Sequence, residues 1–450
     1  MKQAIVIGGG ISGIAAAAQL VERGFAPLLL ESESMLGGRI GTQLHDRMET
    51  DLGGRNFSME DRYLLQLLQF FGDCELSDYH FNSVSVGVGR RFDMRRRGGV
   101  LTRAKRLVGN AISIGPSALR RLAKVASAAT QKPGSGLVCS PYWTHLAGQT
   151  SDPVVTSYFG DDVASKIIRP WTLRMMAAEP EEVYLGNLGP LLGRKPTAYK
   201  RVKGGMGVFL RAASSRLNVK FGHRVTNVSV ASNRVVGVEG FTSDGSSFSE
   251  PADIVILATS ARIAADLLES STAGLARTLR QVTYYPVATI VGKYDDVQFA
   301  GDMSGLFLPR GYAASHIARY DENSRLRFSF AGVAARKAMV QHSIEELLDL
   351  GERTFREFGG NLGRRTSFTG KKWQTGLCAH TWLHHETVSS ISAQCERIEG
   401  LVLTGDYFRG NSLEACATAA HEGVERIIPV AKDRRVKGRD DLDRAYSPVV

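Results

Sequence analysis

Three glycines in the run Gly8-Gly9-Gly10-Ile11-Ser12-Gly13 carry the most direct chemical implication of this sequence. They follow the apolar stretch Ala4 to Ile7 and precede an alanine-rich segment, Ile14 to Arg23, which reads as a helix ended by Gly24. Strand, G-x-G-x-x-G and helix together make a phosphate cradle. Gly8 permits the tight turn, Gly10 lets the backbone approach a pyrophosphate, and Gly13 lets the helix pack closely, with Ile11 and Ser12 in the same cradle at the helix N-terminus. Leu28-Leu29-Leu30 reads as the second strand, and Glu31 stands at its end, eighteen residues after Gly13. An acid there accepts hydrogen bonds from the adenosine ribose hydroxyls.

Two further glycine pairs follow, Gly37-Gly38-Arg39 and Gly53-Gly54-Arg55-Asn56, and near the C-terminus comes Leu401-Val402-Leu403-Thr404-Gly405-Asp406 with Gly410-Asn411-Ser412-Leu413. Paired glycines let main-chain amides come within hydrogen-bond reach of a bulky planar ligand.

In this arrangement the sequence resembles the flavin amine oxidase, protoporphyrinogen oxidase and phytoene desaturase superfamily, from Ala4 to about Ile428. The resemblance implies non-covalent FAD, since no cysteine or histidine stands in the family's covalent-attachment context. It implies Gly38 and Arg39 near the phosphates and Gly53, Gly54, Arg55 and Asn56 along the isoalloxazine. It also implies Val225 at the adenine, Ala258 in the family's Ala-Thr turn, Asp406 after Gly405 against the ribityl or pyrophosphate, and Ser412 and Leu413 at the flavin edge where negative charge grows on reduction. A helix N-terminus aimed there stabilises that charge.

The elements that must position these residues predict an α/β fold. A discontinuous FAD-binding Rossmann-like domain (1–60, 200–270 and 395–430) carries an inserted α+β substrate-binding domain (61–199 and 275–394), and 431–450 is a charged tail. Residues 61–199 read as largely helical. The remainder mixes strands at Ala288 to Gly292 and Leu326 to Gly332 with a helix near Ser343 to Phe358, and Lys203-Gly204-Gly205-Met206-Gly207 opens a helix from Val208 to Leu217.

The formal charge of +11 is concentrated. Between Arg90 and Lys124 lie eleven basic residues, Arg95, Arg96 and Arg97 among them, against Asp93 alone. From Pro116 onward Leu119, Leu122, Val125 and Ala126 alternate with Arg120, Arg121 and Lys124 as in a basic amphipathic helix. Peripheral membrane docking through residues 90–124 and a solvated basic flap both remain open, whereas nucleic acid finds no interleaved aromatic platform. The start of the chain has no signal-peptide pattern and no stretch reaches the roughly 18–20 apolar residues of a membrane span. The five scattered cysteines form no CxxC pair. A cytoplasmic protein, peripheral on the inner membrane face if it docks, is the expectation. His380 and His384 have the spacing of a helical metal pair but lack a metalloprotease's intervening acid, so a polar patch or pocket wall including His385 is expected in place of a metal site. Met175 and Met176 read as packing.

The resemblance covers oxidation of C–N and of C–C bonds. Ser412 falls where an amine oxidase carries a cage aromatic, and Ala288-Thr289-Ile290-Val291 has no central lysine, Lys293 being displaced. These departures favour dehydrogenation of a C–C or ring C–N bond of an organic, lipophilic or biosynthetic, small-molecule substrate. Flavin amine oxidation is the alternative, and a flavin-free binding protein resembling a Rab GDP-dissociation inhibitor is a third reading. Without a second G-x-G-x-x-G, reoxidation falls to oxygen or quinone. Arg55 and Asn56 are the polar candidates nearest the flavin for a catalytic role.

Overall fold

The computed structural model describes residues 2–429 apart from 46–47, 73, 80–82, 86–91, 94–104, 106–107, 111, 133–135, 149–154, 194–197, 301–302 and 322–323. Arg95, Arg96, Arg97 and the charged tail therefore lie outside the described residues.

Five short apolar strands form one parallel sheet: β1 (Ala4–Ile7), β2 (Leu28–Leu30), β3 (Asn218–Lys220), β4 (Ile254–Leu257) and β5 (Leu401–Leu403), in the spatial order β3-β2-β1-β4-β5. Ile5 pairs with Leu28, Val6 with Ile256 and Val255 with Leu401. Every residue of β1 is buried, and alternate side chains enter different cores. Ala4 and Val6 pack with α1 (Ile11–Glu22) and α2 (Leu413–Ile427), whereas Ile5 and Ile7 pack with the helix Ala261–Leu268 and the hairpin residues Val225 and Val238. A strand covered on both faces must be apolar throughout, which explains its uninterrupted hydrophobic run. The cofactor signatures Gly8, Glu31, Ala258 and Gly405 all follow the C-terminal ends of these strands, where open parallel sheets bind ligands.

Helix α1 begins at Ile11, three residues before the expected Ile14. Gly10 is its extended N-cap, and Ile14 N donates to Gly10 O at 3.0 Å, so the last half of the glycine motif is already helical. The later helix runs over Met206–Arg216, close to the expected span.

A second, seven-stranded sheet is organised about the long antiparallel pair Tyr284–Tyr294 and Arg365–Cys378. Residues 61–199 are less uniformly helical than expected. Leu76–Tyr79, Ser83–Ser85 and Phe92–Asp93 are strands, and Ser83–Ser85 joins the large sheet in parallel with Gly305–Phe307. Strands of three residues carry too little alternation to be read locally, and this one is stabilised by a partner distant in sequence. The strand expected at Leu326 to Gly332 spans Arg325–Phe330, and Gly332 instead caps the next helix.

Opposed residues of neighbouring strands share a face. On one face of the large sheet Ala288, Ile290, Phe328, Phe330 and Ile317 pack beneath the helices Val333–Gln341 and Ile344–Glu357. The other face carries Lys371, Thr289, Ser329 and His316 in register, with Arg327 opposite Val291, and Val291 packs on Leu52 of the loop before Gly53. A polar sheet face thus looks onto the second glycine pair.

The basic helix is Pro116–Thr130. Its apolar side is not free: Val125 and Ala129 are buried, and Leu119, Leu122 and Ala126 pack against the same core as Trp143 and Met176. Arg120, Arg121 and Lys124 point outward. No helix among the described residues is long and apolar enough to cross a membrane.

Candidate functional site

Steric constraint explains the glycines. A Cβ at Gly13 would lie 1.8 Å from Gly8 O, so only glycine lets α1 start against the end of β1. A Cβ at Gly10 would meet nothing within 4 Å, because there the main chain faces open space. The first turn of α1 has no side-chain cap and no acid, leaving its amide groups directed into that space. An uncapped helix N-terminus beside open volume fits a pyrophosphate.

Glu31 is buried beside this turn. Its carboxylate accepts from Gly9 N at 2.6 Å and Glu33 N at 2.8 Å, and its carbonyl accepts from His223 N at 2.9 Å. The last bond brings the hairpin of Val225 to the same end of the groove, although the Val225 side chain itself is buried in the core. On the other side Ala258 N donates to Ile7 O, and Ala258 O lies 3.0 Å from where a Gly8 Cβ would be.

The two glycine pairs are folded together. Gly53 N donates to Ile40 O at 2.8 Å, and a Cβ at Gly53 would sit 1.9 Å from Arg39 O. Gly38 approaches Gly10, and Gly54 approaches the side chain of Leu413. Gly10, Gly38, Arg39, Gly53, Gly54 and Leu413 thereby form one continuous wall, with Glu31 and Val225 at one end and Arg55 and Asn56 at the other. These residues could hold an extended dinucleotide.

Arg39 forms a salt bridge with Asp406, which also accepts from Tyr284 Oη at 2.8 Å. Burial pushes the Asp406 carboxyl upward. The Arg39 guanidinium and the hydrogen bonds from Arg39 and Tyr284 more than offset this, and Asp406 titrates below the usual carboxylate range. Ser412 is the N-cap of α2 and accepts from Ala415 N at 3.0 Å, so its hydroxyl serves the helix.

His380 and His384 differ from expectation. They are buried, His380 precedes the helix His384–Cys395 and has φ +47°, and each ring pairs through Nε2 with a carbonyl, Asp406 O at 3.2 Å and Tyr407 O at 2.7 Å. Burial lowers the pKa of His380 to about 4 and that of His384 to about 3, so both are neutral donors. With Cys378 Sγ their ring nitrogens fall within 4.8 Å, but both Nε2 atoms brace the Gly405-Asp406 turn from behind. Met176 is core packing, as expected.

Beyond Gly53 lies a group the motifs did not reveal. Arg327 donates to Leu52 O at 2.7 Å and Gly53 O at 3.1 Å. Arg174 Nη2 donates to Asn56 Oδ1 at 3.0 Å. Arg55 donates to Tyr320 O at 3.1 Å with its guanidinium 4.0 Å over the Tyr320 ring. Burial first, then Arg55 and Arg174, push the Arg327 pKa down to about 9. Burial and the same three arginines hold His316 well below its ordinary value. Burial raises the Tyr79 phenol, and Arg174, Arg55 and Arg327 more than reverse that. A basic residue alternating with apolar ones in Arg325-Leu326-Arg327-Phe328 was the one sequence signal available.

Residues 11–428 match the family profile described as flavin containing amine oxidoreductase. The chain belongs to the flavin-containing amine oxidoreductase family. Members of this family are FAD-dependent oxidoreductases, and FAD is the cofactor of this one; the flavin-free reading is set aside. A flavin-containing amine oxidase of Danio rerio is 42% identical over 69 residues, 15% of this chain and 13% of that protein. A 4,4'-diaponeurosporene oxygenase of Staphylococcus aureus (strain USA300) is 33% identical over 78 residues, 17% of this chain and 15% of that protein. The chain therefore matches only a small part of the length of these curated relatives. Among solved structures, a candidate protoporphyrinogen oxidase from Exiguobacterium sp. 255-15 superposes with a TM-score of 0.70 at 18% identity, covering 95% of this chain and 98% of that one. Cyclohexylamine oxidase from Brevibacterium oxydans IH-35A gives 0.68 at 16% identity over 95% and 98%. At such identities the likeness concerns the fold, an FAD-binding Rossmann-like α/β architecture.

Proposed function

We propose that this family member dehydrogenates a C–C or ring C–N bond of an organic small molecule. FAD, when bound, would supply a two-electron acceptor for the hydride that the substrate gives up together with a proton. The residues proposed to hold it are Gly8, Gly10, Ile11, Ser12, Gly13, Glu31 and Val225 at the adenosine and phosphate end with Ala258, and Gly38, Arg39, Gly405 and Asp406 along the middle. Gly53, Gly54, Arg55, Ser412 and Leu413 complete the ring end. Binding is non-covalent in this reading. The cofactor unit comprises 1–60, 200–270 and 395–430, and the substrate unit 61–199 and 275–394.

One observation carries the choice of reaction. The cage position is occupied by Ser412, whose hydroxyl is committed to capping α2, and Thr289, buried, stands at the centre of the strand where an amine oxidase has its lysine. Neither can do the amine oxidase's work. The chain's own contribution is then orientation of the substrate carbon and exclusion of water beneath the large sheet. Oxygen or quinone would serve as the final electron acceptor.

Amine oxidation is the second reading, and register favours it at one point: Lys371 lies opposite Thr289 on the same face, 5.8 Å over the Trp373 ring. Anaerobic incubation of the yellow protein with unsaturatable ring and polyene substrates on one side and primary amines on the other separates the two. Bleaching of the flavin by amines alone overturns the dehydrogenation reading.

A further inference from the structure

We propose that the substrate is an anion whose carboxylate is held by Arg55, Arg174 and Arg327 beside Asn56. This deepens the proposed function and rests on its placement of the flavin ring along Gly53 to Asn56.

The three arginines come from separate parts of the chain. Arg55 follows the second glycine pair, Arg174 lies on the helix Arg169–Met176, and Arg327 lies on a strand of the large sheet. Arg174 reaches Asn56, the immediate neighbour of Arg55, and Arg327 reaches Gly53. Guanidinium groups repel one another at this range, and clustering them away from bulk water is unfavourable unless an anion joins them. Arg55 and Arg327 donate to main-chain carbonyls, contacts that leave their charge in place. Burial above all, and then repulsion by Arg55 and Arg174, lowers the Arg327 pKa, with the phenols Tyr320 and Tyr79 opposing that shift.

The shape suits a flat acid. Arg55 stacks on Tyr320 at 4.0 Å and lies 6.0 Å from the Tyr79 ring, which fixes the plane of its fork. A planar fork presents parallel N–H groups to a carboxylate, which lysine cannot do. Tyr79 and Arg327 retain accessible surface while surrounded by protein, and Arg55 beside them is half-buried. The same positive field disfavours a protonated amine.

Benzoate, benzamide and benzylamine are matched probes of one ring bearing an anion, a neutral amide and a cation. Each is titrated into FAD-loaded wild-type protein, with binding read by calorimetry and by the flavin spectrum. Benzoate is expected to bind and benzylamine not to bind. Arg55→Gln should weaken benzoate about tenfold or more, the effect of losing a charge-assisted hydrogen bond, and Arg55→Lys should weaken it by less. Melting temperature and circular dichroism establish that each variant is folded, and the three probes on wild type need no variant. Equal binding of all three probes, preference for benzylamine, or unchanged benzoate affinity in Arg55→Gln overturns the proposal. No turnover is involved, so a failure here is distinct from bleaching of the flavin by amines, which would overturn the reaction and not the anion site.

Discussion

Arg39 and Asp406, 367 residues apart, form a salt bridge that ties the glycine pair after β2 to the turn after β5. Asp406 is almost wholly buried while Arg39 keeps a third of its side chain exposed, so the pair is only partly shielded from solvent. Asp406→Asn should cost about 1–3 kcal/mol, between the values for exposed and buried pairs. The folded-state pKa of Asp406 is lowered, so the stabilisation is complete above the unfolded carboxyl pKa, about 4, and is lost as pH falls through the folded value. Below about pH 4 the melting temperature of wild type should fall more steeply with pH than that of Asp406→Asn, which keeps only the losses contributed by other groups. Parallel curves for the two proteins would remove this role.

Gly10 and Gly13 should respond differently to alanine. At Gly13 the new Cβ meets backbone oxygen at 1.8 Å, which no side-chain adjustment relieves, so folding is damaged by more than the usual 1–3 kcal/mol or so of overpacking. At Gly10 the Cβ enters open space, so Gly10→Ala should keep its melting temperature without cofactor and lose FAD affinity. Retained FAD affinity in Gly10→Ala would show that no pyrophosphate approaches there.

Glu31→Ala should weaken FAD by about 1.5–3 kcal/mol, the worth of hydrogen bonds to a charged group. Because Glu31 also holds the amides of Gly9 and Glu33, Glu31→Gln should recover part of the loss. Fluorescence titration of FAD into apoprotein measures both, and wild-type affinity in the alanine variant would take Glu31 out of the site.

His380 and His384 predict a second pH effect of opposite origin. Burial lowers their folded pKa values to about 4 and about 3, whereas the unfolded chain takes up protons near 6.5. The unfolded state therefore binds more protons below that point. Stability is full above about pH 6.5 and falls as pH drops toward the folded values, by about 3 kcal/mol for His380 and about 5 kcal/mol for His384 at about 1.4 kcal/mol per pKa unit. Denaturant unfolding at pH 7 and pH 5 should differ strongly in wild type and less in His384→Gln. The same difference in both would exclude the histidine.

Membrane docking, if residues 90–124 provide it, should be electrostatic, because the apolar side of Pro116–Thr130 is packed on the protein core. Co-sedimentation with anionic vesicles should fall steeply with salt, exposed charges being screened over about 8 Å at physiological ionic strength. Arg120→Ser, Arg121→Ser and Lys124→Ser together should lower it without altering the flavin spectrum. Vesicle binding that persists at high salt would point to apolar insertion instead.

The sequence alone made the glycine turns and the strands that carry them legible. Gly8, Gly10, Gly13, Glu31 and the Gly405-Asp406 turn are local solutions to local problems, a tight turn or a helix start against a strand, and such constraints must appear in adjacent residues. The apolar runs of β1, β4 and β5 were legible for the same reason, since a strand buried on both faces admits no other composition. Only the tertiary structure brought the arginine group together. Arg174 and Arg327 reach Asn56 and Gly53 from positions more than one hundred residues away, and their spacing along the chain has no relation to their spacing in space. His380 and His384 looked like a helical pair because their separation is four, yet the helix starts only at His384, and burial made them braces. Ser412 was expected at the flavin edge, and the structure shows its hydroxyl capping α2, the helix that packs on α1.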